Sequence, residues 1–170
     1  VRVLSDQPKP RQNLLRYREH RIFKAMIVAA AVAVVAALAD AAGPAFGASL
    51  FVPPLAASLF LVIAVPESAM AQPRALLGGQ VLCAAISIAV MHFLPWPELV
   101  VAGAFFLSVA AMILTRTVHA PAAATIYFVI VSHASWEMIF VPIAAGSVFV
   151  IVMGVMINRL RGDPYPRHWL

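Results

Sequence analysis

The chain has 170 residues, of which 63% are hydrophobic and 11% charged, with a mean hydropathy of +0.93 and a formal net charge of +5. Soluble domains carry about 25% charged residues, so a core of this size cannot hide so much apolar surface, and lipid must form part of the solvent. The basic residues gather at the two ends of the sequence, apart from Arg74 and Arg116. That excludes the broad basic face a nucleic acid would need and points instead to anionic headgroups of a lipid bilayer.

In chain order, a basic stretch over residues 1–21 is followed by six apolar segments at about 22–42, 46–65, 75–94, 99–114, 118–132 and 139–157. A spanning helix needs roughly 20 residues. Segments one, three and six qualify, and four is short but adequate. The second is interrupted by Pro53 and Pro54, and the fifth has Pro121 near its start. Strict hydropathy would count four helices and leave segments two and five re-entrant. The positive-inside rule favours six crossings, because Arg74, Arg116 and both termini then share the cytoplasmic side. The outer loops 43–45, 95–98 and 133–138 contain no Lys or Arg, and Trp96 and Trp136 fall at the outer interface. The predicted fold is therefore an all-α transmembrane helix bundle. It has a cytoplasmic segment at 1–21, a membrane domain at 22–160 and a cytoplasmic tail at 161–170, in a bacterial cytoplasmic membrane.

The polar N-terminus runs to Lys24 and the apolar run after it is too long for a signal h-region, so no cleaved signal peptide is expected. Cys83 stands alone inside an apolar run, which excludes an internal disulfide and makes no metal site. His92, His133 and His168 are scattered along the chain and form no ligand set. No HExxH, nucleotide loop, haem motif or nucleophile–base arrangement is present, so neither an enzyme nor a cofactor is expected.

A shift of 67 residues superimposes the second and fifth segments. Pro54, Ala56, Ala57, Val62 and Ile63 match Pro121, Ala123, Ala124, Val129 and Ile130, Ser58 faces Thr125, and Gly79 faces Gly146. Each copy, about 22–94 and 97–160, holds three segments, so the two would be inverted in the membrane, with broken second and fifth helices. Helices starting at Pro54 and Pro121 would bring amide-rich N-termini toward the midplane, where they attract anions; kinks in two packed helices are the alternative.

His119 and Arg116 flank the start of the fifth segment. His119 either binds an anion or caps the helix at the interface, and Arg116 either draws an anion in or only sets topology. Ser58 and Thr125 either line a pathway or bond back to the preceding turn. In the loop holding Glu67, Gln72 and Arg74, Glu67 and Arg74 either pair or, with Arg116, gate an inner vestibule. Gly78, Gly79, Gly146 and Gly154 are read as sites of close helix packing, and Asp40 as interfacial.

The run Pro66-Glu-Ser-Ala-Met-Ala-Gln-Pro-Arg74 with Gly78 and Gly79 resembles the HPP family of integral membrane proteins. So do Leu114-Thr-Arg-Thr-Val-His-Ala-Pro-Ala-Ala-Ala-Thr125 and the ending Tyr165-Pro-Arg-His-Trp169. The family's His-Pro-Pro is here His119-Ala120-Pro121, which removes one element of local rigidity. Some plastid and cyanobacterial members are linked to nitrite transport. The resemblance therefore implies passage of a small inorganic anion, nitrite first, and the chain is read as a transporter or channel, expected to act as a homo-oligomer. A non-transporting accessory subunit of a larger membrane complex is the alternative.

Overall fold

The computed structural model describes residues 10–42 and 52–168, and its described residues form six α-helices and no strand. These are α1 (Pro10–Ala42), α2 (Pro53–Ala64), α3 (Pro73–Phe93), α4 (Pro97–Leu114), α5 (Ala122–Val131) and α6 (Ala145–Arg161). The first four open on proline, which fits a helix start because the missing N–H has no intrahelical partner there. The basic N-terminal stretch is helical from Pro10, so α1 begins well before the apolar segment predicted from 22. The outer loop at 43–45 and the start of the second segment lie outside the described residues.

Among the described residues, two stretches are long and apolar enough to cross a membrane, Pro73–Phe93 and Trp136–Arg161. The second includes a 3-10 turn, Trp136–Ile139, and a wide turn, Phe140–Ala144, kinked at the extended Val141 before α6. By contrast, α2 has 12 residues and α5 has 10. They rise about 18 and 15 Å, roughly half of a 30 Å hydrocarbon core. The fifth segment, predicted from 118, becomes helical only at Ala122, and Pro121 stands just before the helix rather than in its first turn.

Helix α3 is central and packs on α4, α5 and α6, while α2 packs on α1, α5 and α6. One apolar cluster joins α2 and α6 through Leu55, Leu59, Val62, Ile63, Val150 and Ile151. A second joins α3, α4 and α5 through Cys83, Val90, Ala104, Met112, Ala122 and Ile126. Large side chains such as Phe23, Phe106 and Leu114 stay exposed on the outside, where a bilayer solvates them.

Helices α4, α5 and α6 end alike. After α4, the Arg116 and Thr117 amides donate to the Ile113 and Met112 carbonyls at 3.2 and 2.9 Å. After α5, the His133 and Ala134 amides reach Ile130 and Val129, and after α6 the Gly162 and Asp163 amides reach Arg159 and Asn158. Each is a Schellman turn, which needs one left-handed residue. Gly162 supplies it freely at φ 73°, but Arg116 (φ 57°) and His133 (φ 47°) adopt it against the preference of residues with a Cβ.

Arg74, Arg116, Arg159 and Arg161 share one end of the helices. Arg74 Nη2 donates to the Thr115 carbonyl at 3.0 Å, and Arg161 Nη1 donates to the Ile63 carbonyl and pairs with Asp163 at 2.9 Å. The tail closes on the same end. The Tyr165 hydroxyl donates to the Ala71 carbonyl, and the Gln72 side-chain oxygen accepts from the Arg167 and His168 amides. Trp96 and Trp136 lie at the opposite end, before α4 and before α6.

Candidate functional site

The polar core lies where α2, α3 and the approach to α5 meet. Residues Thr115–Pro121 climb along the first turns of α3, from Arg74 at its base to the level of Gly79. The sequence permits this because positions 78 and 79 have no side chain. A Cβ on Gly78 would lie 2.7 Å from Thr117 Cγ2, and one on Gly79 would lie 2.8 Å from both His119 Cβ and the Thr117 carbonyl. The glycines therefore admit a non-helical strand of chain rather than a second helix, which corrects the predicted helix–helix contact. Backbone of this kind survives at membrane depth only when protein covers it.

This placement buries His119 completely. Of its two readings, the interfacial cap does not fit a fully buried ring. Its Nδ1 lies 2.7 Å from the Met70 carbonyl, and its Nε2 lies 2.7 Å from Ser58 Oγ. A carbonyl can only accept, so Nδ1 carries the hydrogen and, in the neutral ring, Nε2 accepts. Ser58 has one proton and two acceptors, Nε2 and the Pro54 carbonyl at 2.9 Å; the neutral ring draws it to Nε2. Gln80 Nε2 donates to Ser58 Oγ at 2.9 Å and lies 3.4 Å from the Pro54 carbonyl. The other end of the same amide, Oε1, accepts from Thr125 Oγ1. The result is one directed chain of donors: Thr125 to Gln80, to Ser58, to His119, to the Met70 carbonyl. Ser58, Gln80, His119 and Thr125 are all fully buried.

Ser58 of α2 and Thr125 of α5 thus converge on one side-chain amide. From that point α2 runs toward the basic end, where Asn158 and Arg161 bond the Val62 and Ile63 carbonyls. Helix α5 runs away from it, toward the turn at His133. The first amides of both helices are nevertheless occupied. Leu55 and Ala56 donate to the Val52 carbonyl, and Ala122, Ala123 and Ala124 donate to His119, Ala120 and Pro121. The expectation of free amides after Pro54 and Pro121 therefore fails in this conformation, because each helix opens with short-range bonds to the residues before it.

Of the residues singled out from the sequence, Pro54, Ser58, His119 and Thr125 come together. Pro121 borders them by starting α5. Arg116 is exposed at the left-handed turn below and does not join the cluster. Arg74 bonds the Thr115 carbonyl rather than Glu67, which is exposed. Gln72 is buried, its Nε2 donating to the Pro66 and Ser68 carbonyls while its oxygen holds the tail. It anchors the loop. Sequence reasoning missed Gln80 and the Met70 carbonyl. A lone glutamine two turns into an apolar helix was a legible signal for the first; a carbonyl has no sequence signature. Among the described residues, no three His, Cys, Asp or Glu side chains gather as a metal site would require.

Fold and site together define an integral membrane helix bundle with an uncharged polar junction buried between two half-length helices. The chain belongs to the HPP family: the family model described as "HPP, transmembrane region" matches residues 15–166. It is also similar to two proteins of Dictyostelium discoideum, each named a transmembrane protein. Both are 31% identical over 123 residues, covering 67% of this chain and 40% and 43% of the relatives. The chain thus spans about two fifths of the length of these curated relatives. No solved structure matches it.

Proposed function

We propose that this protein is a transporter or channel for a small inorganic anion, nitrite being the first to test, with its path past His119 between two inverted halves. The observation that carries the reading is the buried chain of hydroxyl, amide and imidazole groups joining the N-terminal halves of α2 and α5. Neutral donors of this kind can replace part of an anion's hydration without a buried Lys or Arg, which is costly at such depth. Both helices also aim the positive end of their dipole at this junction. Their opposite directions and their match at a 67-residue shift support an inverted repeat. The nitrite candidate comes from the family resemblance. A non-enzymatic role, a homo-oligomer and cytoplasmic termini go with this reading.

With every donor engaged, the conformation described is a closed one. Passage requires the Met70 turn or the Thr115–Pro121 stretch to separate from α3, which frees His119 and Ser58. The saturation of the cluster also favours a second reading, a non-transporting accessory subunit in which the cluster only fixes the fold. Nitrite and chloride uptake into proteoliposomes divides the two. His119→Ala is expected to slow uptake about tenfold, the scale of losing one hydrogen bond to a charged ligand, with insertion intact. Arg116→Gln is expected to slow access from the basic side more than it changes selectivity. Equal flux in all three proteins would leave the accessory-subunit reading.

A further inference from the structure

A groove of about 1190 Å³ opens between α3 and α6 on the outside of the bundle, away from His119. Leu77, Val81 and Ala85 form its wall on α3, and Val148, Val152 and Met156 form its wall on α6. Each wall is a stripe at four-residue spacing, so each is one face of a helix. Each stripe ends one turn further on in an arginine: Arg74 before Leu77, and Arg159 after Met156. The helices are antiparallel, so both arginines lie at the same end, the basic end of the bundle.

We propose that this groove binds an anionic phospholipid, with an acyl chain along the stripes and the phosphate between Arg74 and Arg159. Length supports a lipid. From Arg74 to Ala85, and from Val148 to Arg159, the helices rise about 16 Å, close to the depth of one leaflet of a 30 Å hydrocarbon core. A helix from another protein would need a groove across the whole bilayer. Charge selects the head. Arg74 spends one N–H on the Thr115 carbonyl, and Arg159 has no side-chain partner among the described residues. The remaining guanidinium donors face the headgroup layer, where a phosphate can accept from both. A second copy of this chain is disfavoured, because a two-fold axis along the membrane normal would set four arginines of like charge against one another.

The test is native mass spectrometry of the purified protein titrated with phosphatidylglycerol and with phosphatidylcholine of the same chains. Wild type should bind phosphatidylglycerol about thirtyfold more tightly, the scale expected for two basic residues at a membrane surface. Arg159→Gln touches no protein group and should remove most of that preference. Val152→Trp, which fills the groove, should weaken both lipids. Equal binding of the two lipids by wild type, or an unchanged preference in Arg159→Gln, would overturn the proposal. So would displacement of the lipid by soluble glycerol phosphate at equal concentration, which would mark a headgroup site without a groove. Disulfide-linked dimers of Val152→Cys in a Cys83→Ala background, formed in native membranes, would place a second copy there instead.

Discussion

The two half-length helices are alike in shape and unlike in chemistry. Both open at prolines, both stop after about half a bilayer, and Ser58 and Thr125 each lie four residues after a matched proline, Pro54 and Pro121. At the 67-residue shift, however, the residue matching His119 is Val52, a buried apolar residue. The residue matching Gln80 is Ser147, which is buried with no hydrogen-bond partner among the described residues. The two helices therefore share length and proline starts, while the cluster that joins them is lopsided: Gln80 and His119 have no hydrogen-bonding counterparts at the shifted positions.

The sharpest way to break this contrast is to close the space that admits His119. In Gly79→Ala the new Cβ would lie 2.8 Å from backbone and side-chain atoms of Thr117 and His119. A loss of about 3 kcal/mol is expected, read as a lower unfolding midpoint in detergent. Gly103→Ala is the comparator. Its Cβ would lie 3.4 Å from the end of Leu94, an ordinary contact, and it should gain up to about 1 kcal/mol of helix propensity.

The matched pair Gln80 and Ser147 sharpens the contrast further. Gln80→Leu leaves Thr125 and Ser58 without their shared partner, at a cost of about 2 kcal/mol. Ser147→Ala removes a hydroxyl that bonds nothing and should be neutral or slightly stabilising. Comparable losses in both variants would mean that Ser147 holds the bundle as Gln80 does.

A smaller effect is expected at Arg116, the residue that turns the chain toward His119. Arg116→Gly should stabilise by about 1 kcal/mol, because glycine takes the left-handed position without strain. If Arg116 also draws anions in, the same variant should be more stable and slower in flux, a pairing that a purely structural residue would not give.

The smallest concerns the anchor beneath α2. Tyr165→Phe removes the bond to the Ala71 carbonyl at a cost of about 1 kcal/mol. Burial pushes the Tyr165 phenol up from its ordinary value. The folded form therefore keeps its proton where the unfolded form loses it. This contribution is whole below about pH 10, the unfolded value, and declines above it. Wild type should lose its margin over Tyr165→Phe only in strongly alkaline solution.

Hydropathy and proline positions made the helices legible, including the shortness of the second and fifth segments. Four of the clustered residues were also legible, because Pro54, Ser58 and Thr125 share a shift and His119 stands beside Pro121. What stayed hidden depends on rotation and contact. The burial of His119 follows from two glycines forty residues upstream lying opposite it. Arg74 finds a carbonyl at the end of α4 rather than Glu67 in its own loop. The occupied amides of α2 and α5 depend on how the chain enters each helix, which composition does not record.

The stretch Thr115–Pro121 has a consequence for how the protein is made. Its peptide groups are not all paired within a helix, so it cannot enter hydrocarbon by itself, and α5 is too short to draw it in. Helix α3 carries the Gly78–Gly79 slot that receives it and is synthesised earlier. The fifth segment must then wait near the insertion machinery until α3 and α4 are in place, and reach the membrane interior by docking rather than by partitioning. Chains from which α3 is deleted, or with that slot filled, should leave this segment in water even though its residues are apolar.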